Sequence, residues 1–236
     1  MAREVKPLSI PFKSRFTAVL IMLSALSSAV SAQETATSFF EQVSERYKSI
    51  QDYTADLVIT RGDTVQTAKV WYKSPNLLRL DFEEPEGMVI AVDGDLLQVW
   101  VPDYSVTFSQ PLRRDSQAQM ATLTSSSGLE LIKKYYTISY DPVPGRVPLD
   151  PGSSEEVIKI KAEWKSNNEG FRRLKMSIDA DTRLIRRVTG VTTTNEEITF
   201  DFTNFVLNPD IPDARFQYDS PPTGNTIENF LFDPES

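Results

Sequence analysis

From Asp52 onward the chain alternates. In "VWYKSPNLLRLDFEEP" (70–85), Leu78, Leu80 and Phe82 are separated by Arg79 and Asp81. A period of two puts successive side chains on opposite faces of a strand, one apolar and one charged. The same alternation runs through 52–60, 64–73, 77–83, 88–92, 96–101 and 105–109, interrupted at Arg61-Gly62-Asp63, Ser74-Pro75-Asn76, Pro85-Glu86-Gly87, Asp93-Gly94 and Pro102-Asp103. These breaks are tight-turn sequences, and Asp-Gly is a strong hairpin signal. A chain so punctuated folds as an antiparallel meander.

The alternation returns at 155–165, 171–179, 183–192 and 196–208, with Asn167, Asn168 and Gly170 and then Asp181-Thr182 as turns. Ahead of the first strand, "ATSFFEQVSERYKSI" (36–50) spaces Phe39, Phe40, Val43, Tyr47 and Ile50 as one face of a helix. The polar stretch 113–136 predicts a short helix carrying Leu129, Ile132 and Lys133, after Ser126-Ser127-Gly128. "DPVPGRVPLDPGSS" (141–154) holds four Pro and two Gly and reads as an irregular loop. The expected fold is a single α+β domain over 33–236. It consists of one large curved antiparallel sheet of about ten or eleven strands, an N-terminal helix and a central helical insert.

Residues 1–32 have a different character. Arg3, Lys6, Lys13 and Arg15 precede the apolar run 16–30, and Val30-Ser31-Ala32 offers small residues at a cleavage site. This is the pattern of a secretory signal peptide, and the run is too short and too rich in Ser and Ala for a membrane span. Cleavage before Gln33 directs the product to the periplasm. It leaves 204 of the 236 residues and takes the net charge from −8 to −11, because the segment carries four basic residues and one acidic residue. So acidic a chain is repelled by nucleic acid and by anionic lipid surfaces. No other segment is long and apolar enough to cross a membrane.

There is no Cys and no His. Zinc sites built from them are excluded, as is a Ser-His-Asp triad, and the commonest general base is missing. The remaining chemistry is carboxylate chemistry. Asp93-Gly94-Asp95 and Asp179-Ala180-Asp181 place acids two apart, but a hard cation needs more oxygen ligands than one pair supplies. Both sit where turns are needed, and Asp closes turns by local hydrogen bonding. Glu83, Glu84 and Glu86, and the pairs Glu155-Glu156 and Glu196-Glu197, lie at strand ends. Such pairs serve glycoside hydrolysis only when they converge in space; solvated strand ends that discourage edge pairing are the simpler reading. No metal, cofactor or enzymatic activity is expected.

The aromatic residues are the surplus: three Trp, eight Tyr and thirteen Phe. In an ordinary β protein they form the core. One curved sheet with little helix to cover it leaves its concave face for an apolar ligand.

Several ordered motifs resemble the periplasmic lipoprotein carrier family (LolA). They are the helix ending at Tyr47, Tyr53-Thr54-Ala55-Asp56 opening a strand, and Val70-Trp71-Tyr72-Lys73-Ser74-Pro75-Asn76-Leu77-Leu78. Glu84-Pro85, Val92-Asp93-Gly94 and Trp100-Val101-Pro102-Asp103 follow, and then Phe216-Gln217-Tyr218-Asp219-Ser220-Pro221-Pro222-Thr223-Gly224 with Ile227 beyond. The resemblance implies an unclosed antiparallel β-barrel under a helical lid, enclosing an apolar cavity. It implies a soluble monomeric carrier that receives lipoproteins from an inner-membrane ABC transporter, shields their acyl chains and passes them to an outer-membrane acceptor. The acceptor is itself a lipoprotein, so a chain without Cys resembles the carrier. Leu78 stands where the family has a cavity residue. Leu80 and Phe82 share its parity, Val70 and Tyr72 come from the preceding strand, and Leu129 and Ile132 are lid candidates. Ordinary core remains the alternative for each. The sequence departs from the family at Ser74, where an Arg hydrogen-bonds to the lid, and at Gln98, where the family has Trp. Two other readings stand beside the carrier. One is a lipoprotein-sensing regulatory module of the same fold, although 204 residues leave little room for a second domain. The other is a carboxylate-dependent hydrolase.

Overall fold

The structure is a computed structural model describing residues 34–112, 124–165 and 171–230. The proposed signal peptide, the polar stretch 113–123 and the turn at Asn167, Asn168 and Gly170 lie outside the described residues. Contacts divide the chain after Glu34, and the unit starting at Thr35 is the one described below.

Helix α1 spans Ala36–Lys48. The Thr35 hydroxyl accepts from the Ser38 amide at 3.1 Å and satisfies one of the free donors at its start. Arg46 and Lys48 in its last turn suit the negative end of the helix dipole. Its buried face holds Phe39, Phe40, Val43 and Tyr47, as the 3.6-residue spacing predicts, together with Ala36 and Ser44.

Six strands follow as a meander: β1 Asp52–Arg61, β2 Thr64–Lys73, β3 Leu77–Glu84, β4 Val89–Asp93, β5 Leu96–Val101 and β6 Val106–Pro111. Helix α2, Ser126–Tyr135, is capped by the Ser125 hydroxyl, which accepts from the Gly128 amide at 3.0 Å. Then come β7 Tyr136–Tyr140, β8 Arg146–Pro148, β9 Glu156–Trp164, β10 Phe171–Asp179, β11 Ile185–Thr192, β12 Glu197–Leu207 and β13 Asn225–Glu228. All thirteen belong to one sheet, in the order β13-β6-β5-β4-β3-β2-β1-β12-β11-β10-β9-β7, with β8 also on β9. Every pairing is antiparallel except the parallel β13–β6. The two end strands do not pair with each other, so the sheet is unclosed.

The count exceeds the expected ten or eleven for local reasons. β7 follows α2 with no turn between them, so nothing in the sequence marks its start. β8 is a three-residue strand inside the Pro-rich loop, held by pairing of Arg146–Pro148 with Ile158–Glu156. β13 is exposed throughout and therefore shows no alternation.

The sheet buries one face under α1 and α2. Phe39, Phe40, Val43, Tyr47, Leu129 and Ile132 join Tyr53, Ala55, Leu57, Val70, Tyr72, Leu78 and the strands from β9 to β12 in one core. The opposite face of β2 and β3 is strapped by the segment after β12. Lys73 Nζ donates to the Ile211 carbonyl at 2.8 Å, and Arg79 donates to the Gln217 carbonyl at 3.0 Å. Arg215 pairs with Asp81, and its guanidinium lies 4.3 Å from the Trp71 ring centre. Among the described residues no helix is long and apolar enough to cross a membrane.

Candidate functional site

Register settles which residues share a face. Across β2 and β3, Tyr72 stands opposite Leu78, Val70 opposite Leu80 and Ala68 opposite Phe82. Directly opposed residues point the same way. Val70, Tyr72, Leu78, Leu80 and Phe82 therefore share one sheet face, although the sequence could not carry the parity of 70 and 72 across the turn; the first four belong to or pack on the core that holds the helices, and Phe82 lies outside it. Val70, Tyr72, Leu78 and Phe82 are buried, and Leu80 is half-buried. Leu129 and Ile132 are fully buried against the same core. In this structure the apolar face is filled by α1 and α2 rather than open.

The cover is uneven. One row across the sheet, Tyr72-Leu78-Val92-Leu97, is buried from end to end. In the next row Val70 is buried, but Leu80, Ile90, Val99 and Phe108 are each half-exposed. On β1, β12 and β10 the same change occurs at Ile59, Phe200 and Phe171, which pack on the core without being sealed. Phe171 meets Phe200 edge-on at 6.4 Å. Gly190 leaves room for the Phe171 ring, since a Cβ there would lie 2.4 Å from it. The inner face thus carries a sealed row and, beside it, a strip of partly buried aliphatic and aromatic side chains, in which Phe108 packs on Phe230 at 5.4 Å.

Sequence reasoning found only Leu80 of this strip. Alternation in "MVIAV" and "LLQVWV" assigns Ile90 and Val99 to a face. Which row is sealed and which only partly buried is set by where the helices land.

Polar contacts hold the chain leading into α2, and α2 itself, on the sheet. The buried Tyr53 hydroxyl lies 2.7 Å from Thr124 Oγ1 and 3.1 Å from the Thr124 carbonyl. Burial pushes the Tyr53 hydroxyl well above its ordinary pKa, so it stays a donor. The Ser127 hydroxyl donates to the Pro75 carbonyl at 3.0 Å, and Lys48 of α1 meets Glu130 of α2 at 3.0 Å. The turn Ser74-Pro75-Asn76 is therefore in contact with the helix, but the donor sits on the helix and the acceptor on the turn.

The carboxylates do turn work. Asp93 accepts from the Leu96 amide at 3.2 Å, and Asp179 accepts from the Thr182 amide and hydroxyl, both at 2.7 Å. Glu196 is held in a fork by Arg61 at 2.6 and 2.9 Å, and Glu155 by Arg186 at 2.8 Å. Two surface pockets lie elsewhere, at the β1–β2 hairpin beside Glu196 and between the start of β11 and the end of β12. Neither is lined by the apolar residues expected from the sequence.

With this geometry in place, residues 53–219 match the model of the family described as outer membrane lipoprotein carrier protein LolA. The chain belongs to the LolA family. Outer-membrane lipoprotein carrier proteins of two Coxiella burnetii strains are similar to it. That of strain RSA 331 / Henzerling II is 26% identical over 201 residues, covering 84% of this chain and 89% of the relative. That of strain CbuK_Q154 is 25% identical over the same length and shares. An uncharacterized conserved protein from Thermus thermophilus shares the fold at 12% identity, with TM-score 0.53 over 80% of this chain and 98% of that one. MucB does so at 12% identity, with TM-score 0.50 over 78% and 63%. The unclosed antiparallel sheet with helices on its inner face is the LolA architecture. The family match covers every strand of the sheet except β13, from Tyr53 on.

Proposed function

We propose that the chain is a soluble periplasmic carrier. It takes lipoprotein acyl chains from an inner-membrane ABC transporter, shields them, and yields them to an outer-membrane acceptor. The observation that carries this reading is the partly buried strip Leu80-Ile90-Val99, packed against the core that holds α2. An acyl chain gains ~0.8 kcal/mol for each CH₂ it buries and cannot cross water unaided. A carrier must therefore offer apolar area without tight shape selection, and branched aliphatic and aromatic side chains supply it. The strip is where a chain first lands. Lifting Leu129 and Ile132 of α2 then opens Val70, Tyr72, Leu78 and Phe82 as the deeper cavity. Residues 1–32 deliver the protein to the periplasm, and 33–236 form the single carrier domain. The names of the Coxiella relatives support the reading, and no step in it requires catalysis.

Expression in a diderm bacterium with the signal intact, followed by mass spectrometry of what co-purifies, tests it. Acylated lipoproteins or free lipids are expected on the parent protein. Leu80→Glu and Val99→Glu place a charge on a half-exposed site, and should lose cargo while melting within a few degrees of the parent. Recovery of neither lipoprotein nor lipid, with the variants altering only stability, sinks the carrier reading.

A further inference from the structure

The segment after β12 wraps round one edge of the sheet and comes down on the strip at Phe108. On the outer face it runs from Arg215, over the Trp71 ring, to Gly224, where a Cβ would lie 2.7 Å from the Trp100 ring. Trp100 alternates with Val99, so it stands on the face opposite the strip. Only a residue without a side chain lets the backbone pass this close on its way to the edge. Asn225–Glu228 then lie along β6 as β13. This strand is tied at both ends: the Asn225 amide donates to the Ser105 carbonyl and the Asn229 amide to the Ser109 carbonyl, both at 2.9 Å. Asn229 takes a φ of 55°, a left-handed conformation that Asn tolerates, and the chain leaves the strand there. Phe230 comes next, and its ring meets that of Phe108 at 5.4 Å with planes 57° apart. Phe108 pairs with Val99 and shares its face, so residues 224–230 carry the chain from the outer face to the inner one.

We propose that Phe230, with Ile227 beside it, is the end wall of the acyl strip and sets how long a chain the strip takes. The inference rests on the carrier reading. Register carries the row from Leu80 through Ile90, Val99 and Phe108 to Ile227 on β13. An acyl chain lying along that row crosses the strands. From Leu80 to Phe108 it spans three inter-strand spacings, about 14 Å at ~4.8 Å each. There it meets the Phe230 ring standing on Phe108. Ile227 is 45% and Phe230 36% exposed, so a ligand can touch both, and neither belongs to the core. An extended hydrocarbon advances ~1.25 Å per CH₂, from C–C bonds of ~1.5 Å and angles of about 111°. The run ahead of the wall therefore holds about eleven CH₂, and the spacing from β6 to β13 holds about four more.

The experiment displaces a fluorescent fatty acid from the purified protein with saturated n-alkanoates of increasing length, each below its micelle concentration. In the parent, affinity should rise by up to about fourfold per added CH₂ and then level off at one length. In Phe230→Ala the break should move to chains about four CH₂ longer. Phe230→Tyr keeps the ring and should keep the parent's break, which separates the wall from any general effect of changing this residue. A side chain that only stabilised the sheet edge would lower the affinity or the melting temperature without moving the break. Three results overturn the proposal: the same break in the parent and Phe230→Ala, no break in the parent, or a displaced break in Phe230→Tyr. A parent that binds no alkanoate of any length overturns the carrier reading as well, whereas an unmoved break overturns the wall alone.

Discussion

Replacing Tyr53 with Phe removes one oxygen and leaves the ring, so packing against Tyr72 at 5.1 Å and Phe205 at 5.4 Å is kept. What disappears is the hydroxyl that meets Thr124 Oγ1 and its carbonyl. Thr124 is itself buried, so the closed form would hold an unpaired polar group. That costs about 1–3 kcal/mol. The open form, in which Thr124 reaches water, loses nothing. If α2 must lift for an acyl chain to enter fully, the open fraction rises by about 5- to 150-fold, at roughly 1.4 kcal/mol per factor of ten. Apparent affinity rises by the same factor while the open form is a minority. The assay is titration with a fluorescent fatty acid, alongside thermal melting. The melting temperature should fall by about 2–4 °C for each kcal/mol. A lower melting temperature with unchanged affinity refutes the reasoning, because it shows that the bond stabilises the fold without gating the cavity.

Three further outcomes follow from the same geometry. Ser127→Ala removes the bond to the Pro75 carbonyl, a bond worth about 0.5–1.5 kcal/mol. It should tighten fatty-acid binding by about two- to tenfold, and unchanged affinity would take Pro75 out of the latch. Gly190→Ala puts a methyl 2.4 Å from the Phe171 ring, so the ring must shift. A loss of about 1–3 kcal/mol in urea unfolding is expected. The third is a pH effect. Hydrogen bonds from Lys69 and Asn204 hold the Asp56 pKa below its ordinary 3.8. Its contribution is present above that value and is lost as pH falls through the lower folded one. Urea midpoints between pH 5 and 3 should therefore fall less steeply in Asp56→Asn than in the parent.

Much of the fold is local in origin. The apolar spacing of Phe39, Phe40, Val43 and Tyr47 can be satisfied only by a helix with one buried face. The alternation from Asp52, cut by Gly62, Pro75, Pro85 and Gly94, can be satisfied only by a meander. The candidate site was legible in part for the same reason. Parity within one strand is a property of two bonds, so Leu78, Leu80 and Phe82 group together before any tertiary contact exists. β7, β8 and β13 escaped because they are defined by their partners. β8 exists because β9 lies beside it, and β13 because β6 does.

Residue order alone sets the class of the molecule. It dictates a long antiparallel sheet, too few helices to cover it, no His or Cys for chemistry, and an apolar face of known parity. These follow from periodicity and residue type, which act over a few neighbours. Where that face is sealed and where it is bare depends on how the distant parts pack. Register across β2 and β3 brought Val70 and Tyr72 onto the face of Leu78. The landing of α1 and α2 buried one row and left Leu80, Ile90, Val99 and Phe108 half-exposed. The position of Ser127 over Pro75 supplied a contact between the helix and the strand turn. Such choices depend on residues far apart in the chain, and pairing across that distance is written in no single stretch of it.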